Sequence, residues 1–154
     1  VELEIAIRPV VTPVIGTYYC TANPNSTGVT AEIVAQGSTN VADNDLTITA
    51  RSVPPFSFGF MITSDTPMFT ANPAGSAGNL CIGGSIGRFV GPGQIQNSGI
   101  LGQFAIPVDL TAVPQPNGPV AAVAGDRWYF QAWYRDSSPA GPTSNFTNGV
   151  RVSF

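Results

Sequence analysis

Histidine and lysine are both absent from this 154-residue chain, and all six basic residues are arginine. Without imidazole there is no side chain whose ordinary pKa makes it a general base near neutral pH. Zinc is excluded as a structural metal for a related reason: such a site takes four Cys or His ligands, and the chain offers two cysteines and no histidine. Charge is scarce as well, at 10% of residues, against a usual share of about 25%. The net charge of −3 and the pI near 4.5 argue against nucleic-acid binding, which needs a basic surface to neutralise phosphates. No apolar run approaches the roughly 20 residues that span a bilayer as a helix. There is no signal-peptide pattern, and residue 1 is valine, so the chain reads as a processed product or a segment of something larger.

Glycine and proline, by contrast, are plentiful: 17 and 14 residues. That density breaks every candidate helix. The two cysteines, Cys20 and Cys81, lack Cys-X-X-Cys spacing. They read as a disulfide, which would close a loop of about 60 residues and contribute roughly 4 kcal/mol in the chain-entropy model. The alternative is a pair of buried thiols in a reducing compartment. A Thr/Asn/Ser/Gly-rich, lysine-free composition favours the secreted reading. Two sequons, Asn25-Ser26-Thr27 and Asn145-Phe146-Thr147, are expected in surface loops.

The hydrophobic period is two almost throughout. Val1, Leu3, Ile5 and Ile7 alternate with Glu2, Glu4, Ala6 and Arg8 before Pro9 and Pro13 interrupt. Further strands are expected at 17–22, 29–36, 46–51, 56–63, 79–86, 102–110, 127–135 and 150–154. Turn clusters separate them, at 23–25, 37–40, 53–55, 72–78, 91–93, 114–119 and 137–143. Eight or nine short strands at this spacing predict an all-β, antiparallel β-sandwich with one intradomain disulfide. Thr21-Ala22-Asn23-Pro24 recurs as Thr70-Ala71-Asn72-Pro73, either the trace of a duplicated hairpin or a coincidence of composition. No linker divides the chain. Residues 16–154 are expected to form the sandwich, preceded by an N-terminal strand segment over 1–15.

Several stretches in this order have a familiar look: Gly16-Thr17-Tyr18-Tyr19-Cys20, Ala42-Asp43-Asn44-Asp45-Leu46, Val53-Pro54-Pro55, and Gly78-Asn79-Leu80-Cys81-Ile82-Gly83-Gly84. Phe130-Gln131-Ala132-Trp133-Tyr134-Arg135-Asp136 and Asn145-Phe146-Thr147-Asn148-Gly149 follow. Together they resemble the β-rich modules that end many large secreted proteins of planctomycetes and similar bacteria. The resemblance covers residues 16–154 and is most specific in its last two segments. It implies an extracellular accessory, adhesion or sorting role and carries no known activity.

Four places could bear function. Along 127–135, alternation puts Trp128, Phe130, Ala132 and Tyr134 on one face and Arg127, Tyr129, Gln131, Trp133 and Arg135 on the other. The first face reads as core. The second could be an aromatic platform for a sugar chain, with Tyr129 and Trp133 about 13 Å apart at roughly 3.3 Å per residue. The plainer reading is a central strand covered on both sides.

Gly83-Gly84-Ser85-Ile86-Gly87 matches the G-x-S-x-G elbow of serine hydrolases in letters only, since that elbow needs a strand-to-helix turn and a histidine base. Asp43-Asn44-Asp45 offers oxygen ligands for calcium, with Asp65 as a neighbour that could help complete the shell, or forms an Asx-type turn. As an acid/base pair for glycoside hydrolysis, Asp43 and Asp45 have no supporting feature. Val1, Leu3, Ile5 and Ile7 could pair into a neighbouring subunit and build an open fibre, or form the first strand of their own sandwich.

These features predict a non-catalytic, extracellular or cell-surface structural or adhesion module that needs no cofactor. It could assemble through its N-terminal strand. Its expected partners are other copies of itself or a surface or matrix component. The alternative is a carbohydrate-binding accessory module that uses the 127–135 face.

Overall fold

A strand buried on both sides reads as nearly continuous large side chains, and β11 (Arg127–Ser138) is such a strand. It is the centre of the molecule. The computed structural model describes residues 12–154. The alternating segment carrying Val1, Leu3, Ile5 and Ile7 lies outside the described residues. In chain order the other strands are β1 (Val14–Ile15), β2 (Thr17–Tyr19), β3 (Glu32–Gly37), β4 (Leu46–Arg51), β5 (Phe58–Ser64), β6 (Thr66–Ala71) and β7 (Asn79–Gly83). They continue with β8 (Gly87–Arg88), β9 (Gln96–Asn97), β10 (Phe104–Pro107), β12 (Gly141–Phe146) and β13 (Gly149–Ser153).

These are three antiparallel layers. Sheet A has the order β1-β3-β4-β10, and sheet B the order β2-β13-β11-β5-β8. β12 also pairs with β11 in sheet B, and β9 with β5. The hairpin β6-β7 stands apart as a two-stranded layer. The fold is thus the expected all-β sandwich, with more and shorter strands than eight or nine. Sheet A begins at Val14 and Ile15, which pair with Gln36 and Ala35, so it takes in two residues before Gly16.

The main core lies between sheets A and B. Ile33, Ile48 and Ile106 from sheet A meet Met61, Phe130, Tyr134 and Val152 from sheet B, all essentially inaccessible to water. A second, smaller cluster lies on the opposite face of sheet B, where Ile62, Tyr129 and Phe146 pack under Ile82 of the hairpin. The disulfide Cys20–Cys81 ties the residue after β2 to β7, with its Cα atoms 6.3 Å apart.

β12 and β13 run along the same side of β11 as one interrupted strand. The register is Trp133 opposite Phe146 but Phe130 opposite Val150, so one extra residue is inserted at Thr147-Asn148. This is a β-bulge. The ladder is repaired by side chains: the Ala132 N–H donates to Thr147 Oγ1 at 3.0 Å, and Asn148 Oδ1 accepts from the Ile33 N–H of sheet A at 2.9 Å.

Burial corrects the expectation for the sequons. Asn25 and Asn145 are 6% and 0% exposed, and neither occupies an open surface loop. Asn25 Nδ2 donates to the Ser52 carbonyl at 2.8 Å, while its Oδ1 accepts from the Thr27 N–H and hydroxyl. Asn145 Nδ2 reaches the Pro24 carbonyl at 3.2 Å, and its Oδ1 accepts from the Phe146 N–H. The two Thr-Ala-Asn-Pro copies differ in backbone: Asn72 has φ of 49°, whereas Asn23 is not left-handed.

Candidate functional site

Alternation along β11 sends Arg127, Tyr129, Gln131, Trp133 and Arg135 to the face of sheet B that looks away from sheet A. The hairpin β6-β7 covers only part of that face. The five residues therefore separate into a closed half and an open half.

Gln131 belongs to the closed half. It is 0% exposed, and its amide completes the free edge of β7. Oε1 accepts from the Cys81 N–H at 2.9 Å, and Nε2 donates to the Asn79 and Thr147 carbonyls at 2.8 and 2.7 Å. The Asn79 carbonyl and Cys81 N–H are the groups that a parallel neighbouring strand would engage, so one side chain stands in for a strand. Tyr129, also buried, meets Tyr19 edge to face at 5.3 Å. The Tyr19 hydroxyl donates to the Cys81 carbonyl at 2.9 Å, and burial pushes its phenol pKa upward. Tyr129 and Gln131 are thus covered, and they are not surfaces for a ligand.

Trp133 lies in the open half. It is half-buried, and its ring packs against Phe60 with centroids 5.0 Å apart. With Phe146 they floor a half-open pocket of about 420 Å³, walled by Leu80 of the hairpin and by Ile86, with Arg88 at one side. Ser76 and Ser144 supply hydroxyls there. The Arg135 guanidinium stands over the Trp133 ring, 5.3 Å from its centroid. That separation suits a cation–π contact, which holds the charge at the rim. Arg127 is at the far end of the strand, in a separate cleft with Asp65 and Asp126. Of the five residues that alternation placed together, Trp133 alone lines the open pocket, with Arg135 over its ring and lining the neighbouring cleft beside Asp136.

Phe60, Ile86, Arg88 and Phe146 were missed. Each comes from a different segment, and only sheet register joins them: Phe60 and Phe146 flank Trp133 on neighbouring strands, and Arg88 is opposite Ile62.

In the Asp43-Asn44-Asp45 turn, Asp43 bonds within its own loop and Asn44 ties the turn to the segment after β10. Asp43 Oδ2 accepts from the Ser38 hydroxyl at 2.6 Å. Asn44, left-handed at φ 43°, accepts from the Leu110 N–H at 2.7 Å through Oδ1 and donates to Asp109 Oδ1 at 3.3 Å. Among the described residues no cluster of three or more His, Cys, Asp or Glu side chains is placed to hold a metal. Gly83-Gly84-Ser85-Ile86-Gly87 links β7 to β8, strand to strand, with Gly84 at φ +61°. No helix among the described residues is long and apolar enough to cross a membrane.

No protein-family model, curated protein or solved structure matches the chain.

Proposed function

We infer that this domain is a non-catalytic, extracellular adhesion module that holds a glycan chain at the Trp133 pocket. The observation that carries this reading is the aromatic floor, Trp133 against Phe60, left open beside a hairpin that covers the rest of the face. A sugar presents apolar C–H faces together with hydroxyls, and the pocket offers aromatic surface beside serine hydroxyls and guanidinium donors. The disulfide suits an oxidising compartment. A non-catalytic role is supported by the lack of histidine and by the strand-to-strand setting of the G-x-S-x-G letters.

The test is a glycan array followed by titration calorimetry on the best oligosaccharide. Trp133→Ala should weaken binding at least tenfold while the melting temperature of the disulfide-bonded protein falls only a few degrees. If no glycan binds the wild-type chain, the reading is wrong.

Assembly through Val1, Leu3, Ile5 and Ile7 is a second reading. It is favoured by the edge strand β10, which pairs with β4 alone among the described residues. Comparing the full chain by light scattering with a version starting at Thr12, which keeps β1, tests it. Equal, monomeric masses would refute it.

A further inference from the structure

We propose that the glycan held at the Trp133 pocket is anionic: a polyuronate whose carboxylates pair with Arg88 and Arg135. This rests on the adhesion reading above and narrows it to one ligand chemistry.

The arginines are unevenly distributed over the molecule. Five of the six lie among the described residues, and one of them, Arg51, is paired: its guanidinium meets Glu32 Oε2 at 3.0 Å on sheet A. The other four are Arg88, Arg127, Arg135 and Arg151. Register puts all of them on one face of sheet B. Arg127 and Arg135 alternate with Tyr129 and Trp133 on β11, Arg151 is opposite Tyr129, and Arg88 is opposite Ile62. Among the described residues none of the four makes a salt bridge. A domain of net charge −3 therefore gathers most of its positive charge on a single face.

Within the pocket itself the Arg88 charge is not offset. No carboxylate lines that space. Arg127 sits with Asp65 and Asp126 in its own cleft, so its field is partly cancelled. Asp136, next to Arg135 in sequence, shares a separate cleft with it, and its carboxylate is already engaged by the Ser26 and Ser137 N–H groups and by Asn145 Nδ2. Arg88 and Arg135 are both exposed and make no hydrogen bond through their side chains among the described residues. Arg135 is already held by the Trp133 ring, so little side-chain freedom remains to be lost on pairing.

A guanidinium offers a planar fork of donors that matches a carboxylate bidentately. A ligand complementary to the whole pocket needs an apolar flank for Phe60 and Leu80, hydroxyls for Ser76 and Ser144, and negative charge at the rim. A uronate residue has all three on one ring. A neutral sugar would leave both guanidinium groups without a counter-charge, and a simple anion would leave the aromatic floor unused.

Titration calorimetry with polygalacturonate and alginate hexamers, against cellohexaose and xylohexaose, tests this. The uronate hexamers should bind at least tenfold more tightly than the neutral ones. R88Q and R135Q should each weaken uronate binding about tenfold, as expected for losing a charge-assisted hydrogen bond. Uronate affinity should fall as salt rises from about 0.05 to 0.3 M, since charges exposed at a rim are screened.

Equal or tighter binding of the neutral hexamers, lost in Trp133→Ala, would overturn the anionic assignment and keep the glycan reading. Uronate binding that ignores R88Q, R135Q and Trp133→Ala alike would be diffuse attraction away from the pocket and would also overturn it. Binding of no hexamer would overturn the anionic assignment, and the glycan reading would fall with it only if the array is blank as well. Both arginines are exposed, so unchanged melting temperatures for R88Q and R135Q provide the folding control.

Discussion

At the scale of single residues, Gln131 carries more of the structure than its type suggests. Its amide occupies the Cys81 N–H and the Asn79 and Thr147 carbonyls, three backbone groups in a space closed to water. Leaving such groups unpaired costs roughly 1–3 kcal/mol each, although relaxation recovers part of it. Gln131→Met keeps the length of the side chain and removes the amide. It should lower stability by about 3 kcal/mol, read as a shift of the urea midpoint with an unchanged slope. A loss below about 1 kcal/mol would mean that β7 finds other partners and that the amide is not its pin.

The same residue shows the limit of reading sites from alternation. The pattern correctly placed Gln131 on the outer face of β11, beside Trp133. Whether that face is open depends on where a hairpin far away in sequence folds down, and no local pattern records that. The buried sequons have the same origin. Asn25 and Asn145 sit in loop-like sequence, but Asn25 lies beside Tyr134, accepted at 3.3 Å by its hydroxyl, and Asn145 lies beneath the hairpin loop.

At the scale of elements, legibility follows burial asymmetry. β4 was bounded correctly from Leu46 to Arg51 because Leu46, Ile48 and Ala50 are buried while the residues between them are not. β6 lies outside every strand expected from the sequence, and β12 begins inside the turn cluster expected at 137–143. β6 carries Pro67 and a register shift between Pro67 and Thr70, and β12 reads Gly-Pro-Thr-Ser-Asn-Phe, without apolar alternation. Both strands exist because a neighbour supplies the ladder. β12 is held by β11, and β6 by β7.

The β6-β7 hairpin is also the wall of the pocket, and its seat can be tested. The loop that closes it rests on β12 through the Ala77 N–H and the Ser76 hydroxyl, both donating to the Ser144 carbonyl at 2.9 Å. Gly78 makes that approach possible: a Cβ there would lie 2.6 Å from the Phe146 nitrogen and collide with the Asn145 side chain. Its φ is not positive, so the conflict is one of space and not of backbone conformation. Gly78→Ala should cost about 1–3 kcal/mol, as overpacking does. The loss should be local, with faster hydrogen exchange over residues 70–80 and unchanged exchange in β3 and β4. Uniform acceleration across both sheets would show instead that the hairpin and the sandwich unfold as one unit.

At the scale of the whole molecule, stability should form a broad plateau in pH. With no histidine, no side chain of ordinary pKa titrates between about pH 5 and 8. Asp109 contributes to the acid edge, its carboxyl being held below its ordinary value by hydrogen bonds from the Thr111 hydroxyl and N–H. A depressed folded pKa contributes stability that is present above the unfolded value, near 3.8, and lost as pH falls through the folded one.

The alkaline edge has the opposite origin. Burial raises the phenols of Tyr19 and Tyr134, so the folded chain keeps protons that the unfolded chain releases near its ordinary value of 10.0. Their contribution is therefore full below about pH 10 and declines as pH rises beyond it. Melting temperatures should be flat from roughly pH 5 to 9, fall below about pH 4, and fall again above about pH 10. Tyr19→Phe separates the two edges: it should soften the alkaline fall while leaving the acid edge in place. A midpoint that drifts by several degrees between pH 6 and 8 would contradict this account, because no side chain here has an ordinary pKa in that range.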